Sequence, residues 1–176
     1  VMTDAWERRH LLLADGTELD VAPATRLRLR FDDDLRRIEL DAGRIAVVVA
    51  PDRLRPFEVA AGDGLIRDIG TRFEVDMGTP HTRVTVAEGM VDVSVPMSGA
   101  LPSRVGAGEA VEFDGQGVSP VRPTDAVAAL AWTKGQLVFD GVPLADVVAT
   151  LNRYRKTPIE LTHGSLAGIR ISGVFI

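Results

Sequence analysis

The sequence predicts a mainly β protein with two parts: an all-β domain of repeated hairpins over residues 1–122, and a small βαβ module over residues 123–176. Two observations predict the β domain. Short segments before residue 122 alternate apolar and polar residues, as Leu27, Leu29 and Phe31 do between arginines. A segment of similar pattern also occurs twice. A third observation separates the module, because a proline-rich stretch at 119–123 precedes a change to helical spacing.

The repeated segment covers residues 37–49 and again 83–95. Its apolar positions and its glycine, Gly43 in the first copy and Gly89 in the second, match throughout. We interpret each copy as a β-hairpin that turns at residues 41–43 or 87–89, because glycine adopts a positive φ without a Cβ clash. A weaker third copy lies at 105–111. Repeated hairpins are typical of a sandwich or of a short solenoid, and the pattern fits both.

After the join, Thr124 is expected to cap a short helix over 126–132, and a strand follows at 136–139. Pro143 suits the start of a second helix, because its missing N–H costs nothing in a first turn. That helix carries one apolar stripe at helical spacing, and Arg153 to Lys156 suit its last turn. Strands are expected at 159–161 and 169–176. The stripe consists of Leu144, Val147, Val148 and Leu151.

Composition argues against several classes of function. The net charge of −5 gives no support for nucleic-acid binding, and the absence of cysteine removes disulfides and thiolate chemistry. The three histidines are far apart, so we expect no metal site and no cofactor. No apolar stretch reaches membrane-spanning length and the first residues lack a signal-peptide pattern. A targeting or anchoring segment would therefore lie outside the sequence.

Two acidic motifs have a catalytic or metal-binding interpretation and a simpler one. Asp32-Asp33-Asp34 could hold a cation, but the spacing of a calcium loop does not follow, so a solvated loop is favoured. Asp15-Gly16-Thr17 has the letters of an aspartic-protease motif, but no second copy supplies the other carboxylate. We interpret it as a hairpin turn. With no P-loop and no nucleophile elbow, we expect neither catalytic residues nor a small-molecule substrate.

Several segments, in order along residues 11–113, resemble motifs of the FecR family. Residues 13–19 are similar to its opening "L-x-D-G-S-x-V", and 37–49 to its "R-x-V-x-L-x-x-G-x-A-x-F-x-V", with Ile45 and Val47 replacing Ala and Phe. Residues 55–59 are similar to "R-P-F-x-V", 69–75 to "L-G-T-x-F-x-V" and 86–91 to "V-x-E-G-x-V". Residues 132–139, 151–154 and 172–175 resemble the small module that follows, which is similar to the secretin and TonB short N-terminal (STN) fold. That module is expected to be incomplete at Ile176.

The resemblance implies a non-enzymatic signalling role in the periplasm, with a tether to the inner membrane. Family members hold an extracytoplasmic-function sigma factor through a cytoplasmic segment that is absent from this chain. Their periplasmic part receives a signal from the signalling domain of a TonB-dependent outer-membrane receptor, often in iron uptake. This chain is expected to be that periplasmic part.

A partner protein is expected to bind the βαβ module near five residues, with edge-strand pairing as one mode of contact. They are Leu137, Phe139, Leu151, Asn152 and Tyr154. The alternative is a carbohydrate- or cell-wall-binding β module. Two tryptophans and one tyrosine are few for a sugar platform, which stacks sugars on exposed aromatic rings.

Overall fold

The computed structural model describes residues 1–78 and 80–176 and shows a mainly β protein, as predicted. The strands of the first part are β1 (Arg9–Leu12), β2 (Glu18–Val21), β3 (Arg26–Phe31), β4 (Arg36–Val48), β5 (Phe57–Ala61), β6 (Gly64–Asp68), β7 (Arg72–Met77), β8 (Thr82–Glu88), β9 (Met90–Ser94), β10 (Ser103–Gly106), β11 (Glu109–Asp114), β12 (Gly117–Val118) and β13 (Arg122–Pro123). The remaining elements are α1 (Ala126–Ala129), β14 (Leu137–Pro143), α2 (Leu144–Asn152) and β15 (Arg170–Phe175), with 3₁₀ turns at Pro96–Ser98, Leu130–Lys134 and Gly164–Leu166.

The first thirteen strands form two layers that share the long strand β4. The first layer has the order β3-β4-β5-β6-β9-β10, and the second has the order β1-β2-β4-β7-β8-β11, with β12 and β13 beside β11. Neighbouring strands run antiparallel except β4 and β5. Hairpins join β1 to β2, β3 to β4, β5 to β6, β7 to β8 and β9 to β10, so repeated hairpins build the domain.

One hydrophobic core contains side chains from both layers. Leu27 and Val59 come from the first layer, and Leu19, Phe73 and Val84 from the second, all 1% exposed or less. Side chains of two layers that meet in one core define a sandwich, which selects between the two architectures that the pattern allowed.

The turns predicted inside the repeated segment are wrong. Strand β4 runs without a break through residues 41–43: residues up to Ala42 pair with β3, whereas residues from Gly43 pair with β7. In the second copy, β8 pairs within the second layer, and β9, which follows Gly89, pairs within the first. Each glycine, at φ +93° and +74°, therefore turns the chain from one layer to the other. Inward positions are apolar in both layers, so alternation cannot distinguish such a corner from a hairpin.

Two turns have the predicted form. Gly16 has a φ of +87° between β1 and β2, where the Leu13 N–H donates to the carbonyl of Thr17 at 2.8 Å. The Asp15-Gly16-Thr17 motif is thus a hairpin turn. Asp32 lies between β3 and β4, and its carboxylate accepts backbone N–H groups of Asp34 and Leu35 at 2.9 and 2.8 Å. These bonds make the acidic run a loop.

Buried ion pairs cross-link the sandwich. Arg36, 2% exposed, donates to Asp15 Oδ2 at 2.8 Å, and its remaining donors reach the carbonyls of Ala50 and Arg55. Glu58 accepts paired hydrogen bonds from Arg37 on one oxygen and from Arg67 on the other. A buried carboxylate tolerates removal from water only when it is paired in this way, so these contacts satisfy the charges of Asp15 and Glu58.

Three details of the C-terminal part differ from prediction. Residues 159–161 do not form a strand, because the Asn152 side chain takes both backbone groups of Ile159: its Nδ2 donates to the carbonyl at 3.0 Å and its Oδ1 accepts the N–H at 2.7 Å. The cap of α1 is Asp125, which accepts the Ala128 N–H at 2.9 Å, and Thr124 instead accepts from Arg83. Because α2 ends at Asn152, Arg153 to Lys156 lie beyond its last turn.

Strands β14 and β15 form a separate antiparallel pair, and α2, which starts directly after Pro143, packs on both. A division of the chain at residues 122 and 123 stays a prediction. No helix in the described parts of the chain combines the length and the apolar character needed to cross a bilayer.

The corner at Gly43 provides a stability test. In a Gly43→Ala variant, the new Cβ would lie 2.6 Å from Thr25 Cα and would also sit at a positive φ. We expect a loss of about 2–5 kcal/mol in the free energy of unfolding, the sum of overpacking and left-handed strain. Gly99→Ala is the control, because its φ is +69° but no neighbouring atom lies within 4 Å of the new Cβ. Its free energy of unfolding, measured in urea titrations, is expected to fall by only about 1–2 kcal/mol. Equal losses would contradict the steric role of the corner.

Glu58 makes stability depend on pH. Burial alone would raise the pKa of its carboxyl, but hydrogen bonds from Arg67 and Arg37 outweigh burial and hold that pKa below its usual value. The stabilisation is therefore complete above the unfolded pKa of about 4.3 and is lost as the pH falls below it. We expect Glu58→Gln to be less stable at pH 7 and to lose less stability between pH 5 and pH 3. Urea unfolding at each pH measures this, with exposed Glu160→Gln as the control; unchanged acid sensitivity in Glu58→Gln would refute the assignment.

Candidate functional site

The segment after the join lies against the outer face of the second layer. There Ala22 and Ala46 are nearly fully buried under Leu130 and Trp132, and the four form a second hydrophobic cluster. Outward positions on a solvated sheet are usually polar. Alanine at these positions leaves room for the large side chains, and the cluster fixes the C-terminal part to the sandwich.

A buried carboxylate at the centre of this contact joins three elements. Glu74 on β7, 2% exposed, accepts the indole N–H of Trp132 on Oε2 at 2.6 Å. The same oxygen accepts Nε and Nη2 of Arg44 on β4 at 2.9 and 2.7 Å. Arg44 Nη2 also donates to the carbonyl of Ala129 at 2.6 Å, and its guanidinium lies 5.2 Å from the Trp132 ring centroid. We call Arg44, Glu74 and Trp132 the buried triad.

Burial and charge oppose each other in the buried triad. Burial raises the pKa of the Glu74 carboxyl, and the Arg44 charge and the indole hydrogen bond act against that rise. Burial also acts to lower the pKa of Arg44, but the carboxylates of Glu74 and Asp76 outweigh it, and that pKa is raised. The guanidinium therefore stays charged where it contacts the carboxylate.

The N-terminal segment also reaches the C-terminal part. The Trp6 N–H donates to the carbonyl of Arg153 at 3.0 Å, and Lys156 Nζ lies 5.2 Å from the Trp6 ring centroid. Arg8 Nη1 donates to the carbonyl of Trp132 at 2.7 Å, across 124 positions of the chain. Residues from both regions of the sequence therefore build one surface.

This surface contains an apolar groove of about 460 Å³. It is lined by Arg8, Trp132, Gly135, Leu137, Leu151, Tyr154, Arg155, Ile159, Phe175 and Ile176. We call it the apolar groove. Aromatic, aliphatic and arginine side chains around a concave surface are the combination that protein interfaces favour.

The structure brings three of the five expected binding residues together, because Leu137, Leu151 and Tyr154 all line the apolar groove. Phe139 and Asn152 do not line it. Phe139 is 7% exposed and packs edge to face on Phe175 with ring centroids 5.5 Å apart, and Asn152 fixes the loop at Ile159. A binding role for these five residues stays a prediction.

Sequence reasoning missed the groove residues that lie far from the βαβ pattern. Arg8 is in the first strand region, and no local signal connects it to Trp132. Ile159 was assigned to a strand, whereas it lines the groove because Asn152 holds its backbone. Phe175 lies on the last strand, as the sequence predicts, and is partly exposed there beside Val174.

The aromatic residues give little support to a sugar platform. Trp132 is 1% exposed, so its ring faces cannot stack on a sugar. Trp6 is exposed but has Lys156 against its ring. Within residues 1–78 and 80–176, no three His, Asp or Glu side chains are grouped so as to hold a metal ion.

Comparisons with known proteins identify related chains. A family model described as "FecR protein" matches residues 1–92. Two crystal structures of a candidate anti-sigma factor from Parabacteroides distasonis ATCC 8503 superpose with TM-scores of 0.84 and 0.82, each at 24% identity over 99% of this chain and 83% or 82% of theirs. At this identity the likeness shows a shared fold. No curated protein matches the chain.

The buried triad gives a test of how the C-terminal part is held. Trp132→Phe removes the hydrogen bond to the Glu74 carboxylate, and a hydrogen bond to a charged group contributes about 1.5–3 kcal/mol. We expect the free energy of unfolding to fall by that amount in urea titrations. Trp6→Phe, at an exposed ring, should change it by less than about 0.5 kcal/mol. A Trp132→Phe protein as stable as the wild type would show that the triad does not hold the module.

Proposed function

The chain belongs to the FecR family, whose model matches more than half of it, and from this premise we propose that it is the signal-receiving portion of an anti-sigma factor. The observation that carries the proposal is the apolar groove, where three side chains expected to bind a partner converge on one exposed surface. The match in fold to the candidate anti-sigma factor supports the same role.

In this proposal the sandwich, residues 1–122, is a rigid mount and residues 123–176 form an STN-like module that recognises the partner. Two features support the division of labour. The sandwich has a single buried core with cross-linking ion pairs. The module instead has a strand, β15, that pairs only with β14 among the described residues and keeps Val174 and Phe175 accessible. An exposed strand edge is a ready surface for another chain.

The partner we propose is the signalling domain of a TonB-dependent receptor, and the site of action is the periplasm. Control of an extracytoplasmic-function sigma factor would pass through a membrane tether and a cytoplasmic segment outside this chain. Contact between proteins, and not chemistry on a substrate, is the proposed activity. A carbohydrate-binding role has less support: of the aromatic residues that line the groove, Trp132 is buried and Phe175 packs edge to face on Phe139.

The proposal is tested by binding to the signalling domain of a receptor encoded beside this gene. We expect isothermal titration calorimetry to detect the complex, and Leu151→Asp to weaken it by at least about tenfold, because a carboxylate in the groove must be desolvated on docking. Leu54→Asp, at a loop residue that is 90% exposed and does not line the groove, is the matched control and should bind as the wild type does.

Both variants are first compared with the wild type by circular dichroism and thermal unfolding, and Ile159→Asp serves if Leu151→Asp does not fold. Absence of binding at hundreds of micromolar would count against the relay. Binding that Leu151→Asp and Ile159→Asp leave unchanged would place the partner elsewhere on the molecule.

A further inference from the structure

Two arginines at the apolar groove lack the partner that most arginines of this chain have. Arg36, Arg37 and Arg67, for example, each have a carboxylate oxygen within 2.8 Å. Among residues 1–78 and 80–176, no carboxylate oxygen, the terminal one of Ile176 included, lies within 4 Å of a guanidinium nitrogen of Arg8 or Arg155. Both residues are exposed.

Neutral acceptors hold these two side chains in place. Arg8 donates Nη1 to the carbonyl of Trp132 at 2.7 Å, and Arg155 donates Nε to the carbonyl of Thr157 at 3.3 Å. A guanidinium has five N–H donors, so each keeps several for another acceptor. A carbonyl orients the cation without neutralising it, and an oriented cation loses less freedom when it binds an anion.

The rest of the groove lining suits an occupant that carries both an apolar side chain and a negative charge. Its surface is mostly apolar, from Leu137, Leu151 and Ile159, and no Asp or Glu lines it. The chain as a whole carries a net charge of −5, so two unpaired cations beside an apolar surface are a local reversal of sign. Such a site attracts a carboxylate and an apolar side chain and repels a cation.

We propose that the apolar groove receives an acidic, apolar segment of a partner protein. An apolar side chain of that segment lies between Leu137 and Leu151, and a carboxylate next to it binds Arg8 or Arg155. This inference rests on the proposed function, since it specifies the chemistry of the segment that a partner presents to the groove.

Blocked peptides test the chemistry directly, with the whole 176-residue chain as the receptor. The probes are Leu-Asp-Leu-Asp-Leu, its neutral counterpart Leu-Asn-Leu-Asn-Leu and its basic counterpart Leu-Lys-Leu-Lys-Leu. By fluorescence anisotropy at 50 mM salt, we expect the acidic peptide to bind at least about tenfold more tightly than the neutral one, and the basic peptide to bind least. The preference should shrink as salt rises, because exposed ion pairs are screened.

Arginine variants assign that preference to the groove. In Arg8→Gln/Arg155→Gln, we expect the acidic and neutral peptides to bind equally. Arg53→Gln/Arg122→Gln removes the same charge from two exposed arginines outside the groove, and should keep the tenfold preference. Arg8→Lys/Arg155→Lys keeps both charges and should keep most of the preference for the acidic peptide. This variant separates a charge effect from a loss of folding.

Three results would overturn the inference: equal binding of the acidic and neutral peptides to the wild type, no binding of either, or an equal loss in both glutamine variants. The outcome is separable from the proposed function. A receptor signalling domain that binds, with an affinity indifferent to Arg8→Gln/Arg155→Gln, would refute the inference and leave the relay standing. A preference for the acidic peptide without any receptor binding would refute the relay and leave the inferred chemistry of the groove standing.

Discussion

The carboxylate of Glu74 is the constraint on which the arrangement of this chain depends. A buried carboxylate destabilises a fold unless donors satisfy it, and here the donors come from two places that the chain must bring together. Arg44 is on the strand that the two layers share, and Trp132 is in the segment after the sandwich. The charge can therefore be buried only when the C-terminal part lies against the second layer. Alanines at positions 22 and 46 provide the room for that contact.

The buried triad also determines what the apolar groove is. Trp132 contributes its indole N–H to Glu74, its backbone carbonyl to Arg8 and part of its surface to the groove wall. An occupant of the groove would thus contact a residue that is hydrogen-bonded to the second layer and to the N-terminal segment. Trp132 is therefore the one residue that joins the groove, the second layer and the N-terminal segment among these contacts.

The sequence was sufficient for the fold class and most strands, because alternation of apolar and polar residues reports directly which side chains face a core. It misplaced the hairpin turns at Gly43 and Gly89, because a corner between layers and a turn within a layer produce the same alternation. It missed the strand-breaking loop at Ile159, because the Asn152 side chain that satisfies its backbone acts over seven positions and leaves no pattern. Ion pairs such as Arg36 with Asp15 were equally invisible, since nothing local relates residues 21 positions apart.

The lining of the apolar groove follows from the sequence only where it is local. Leu151 belongs to a helical stripe and Leu137 to a strand, so periodicity found both; Arg8 contributes to the groove only because β1 and the N-terminal segment fold back onto the C-terminal part. A groove whose walls come from residues near position 8, from 132–137 and from 151–176 exists only when all these contacts are made. A surface of this kind is present in the folded chain and absent from the unfolded one, whereas a linear binding motif would persist in both. Under the proposed function, that dependence on the whole fold means that a partner would bind only a correctly assembled chain.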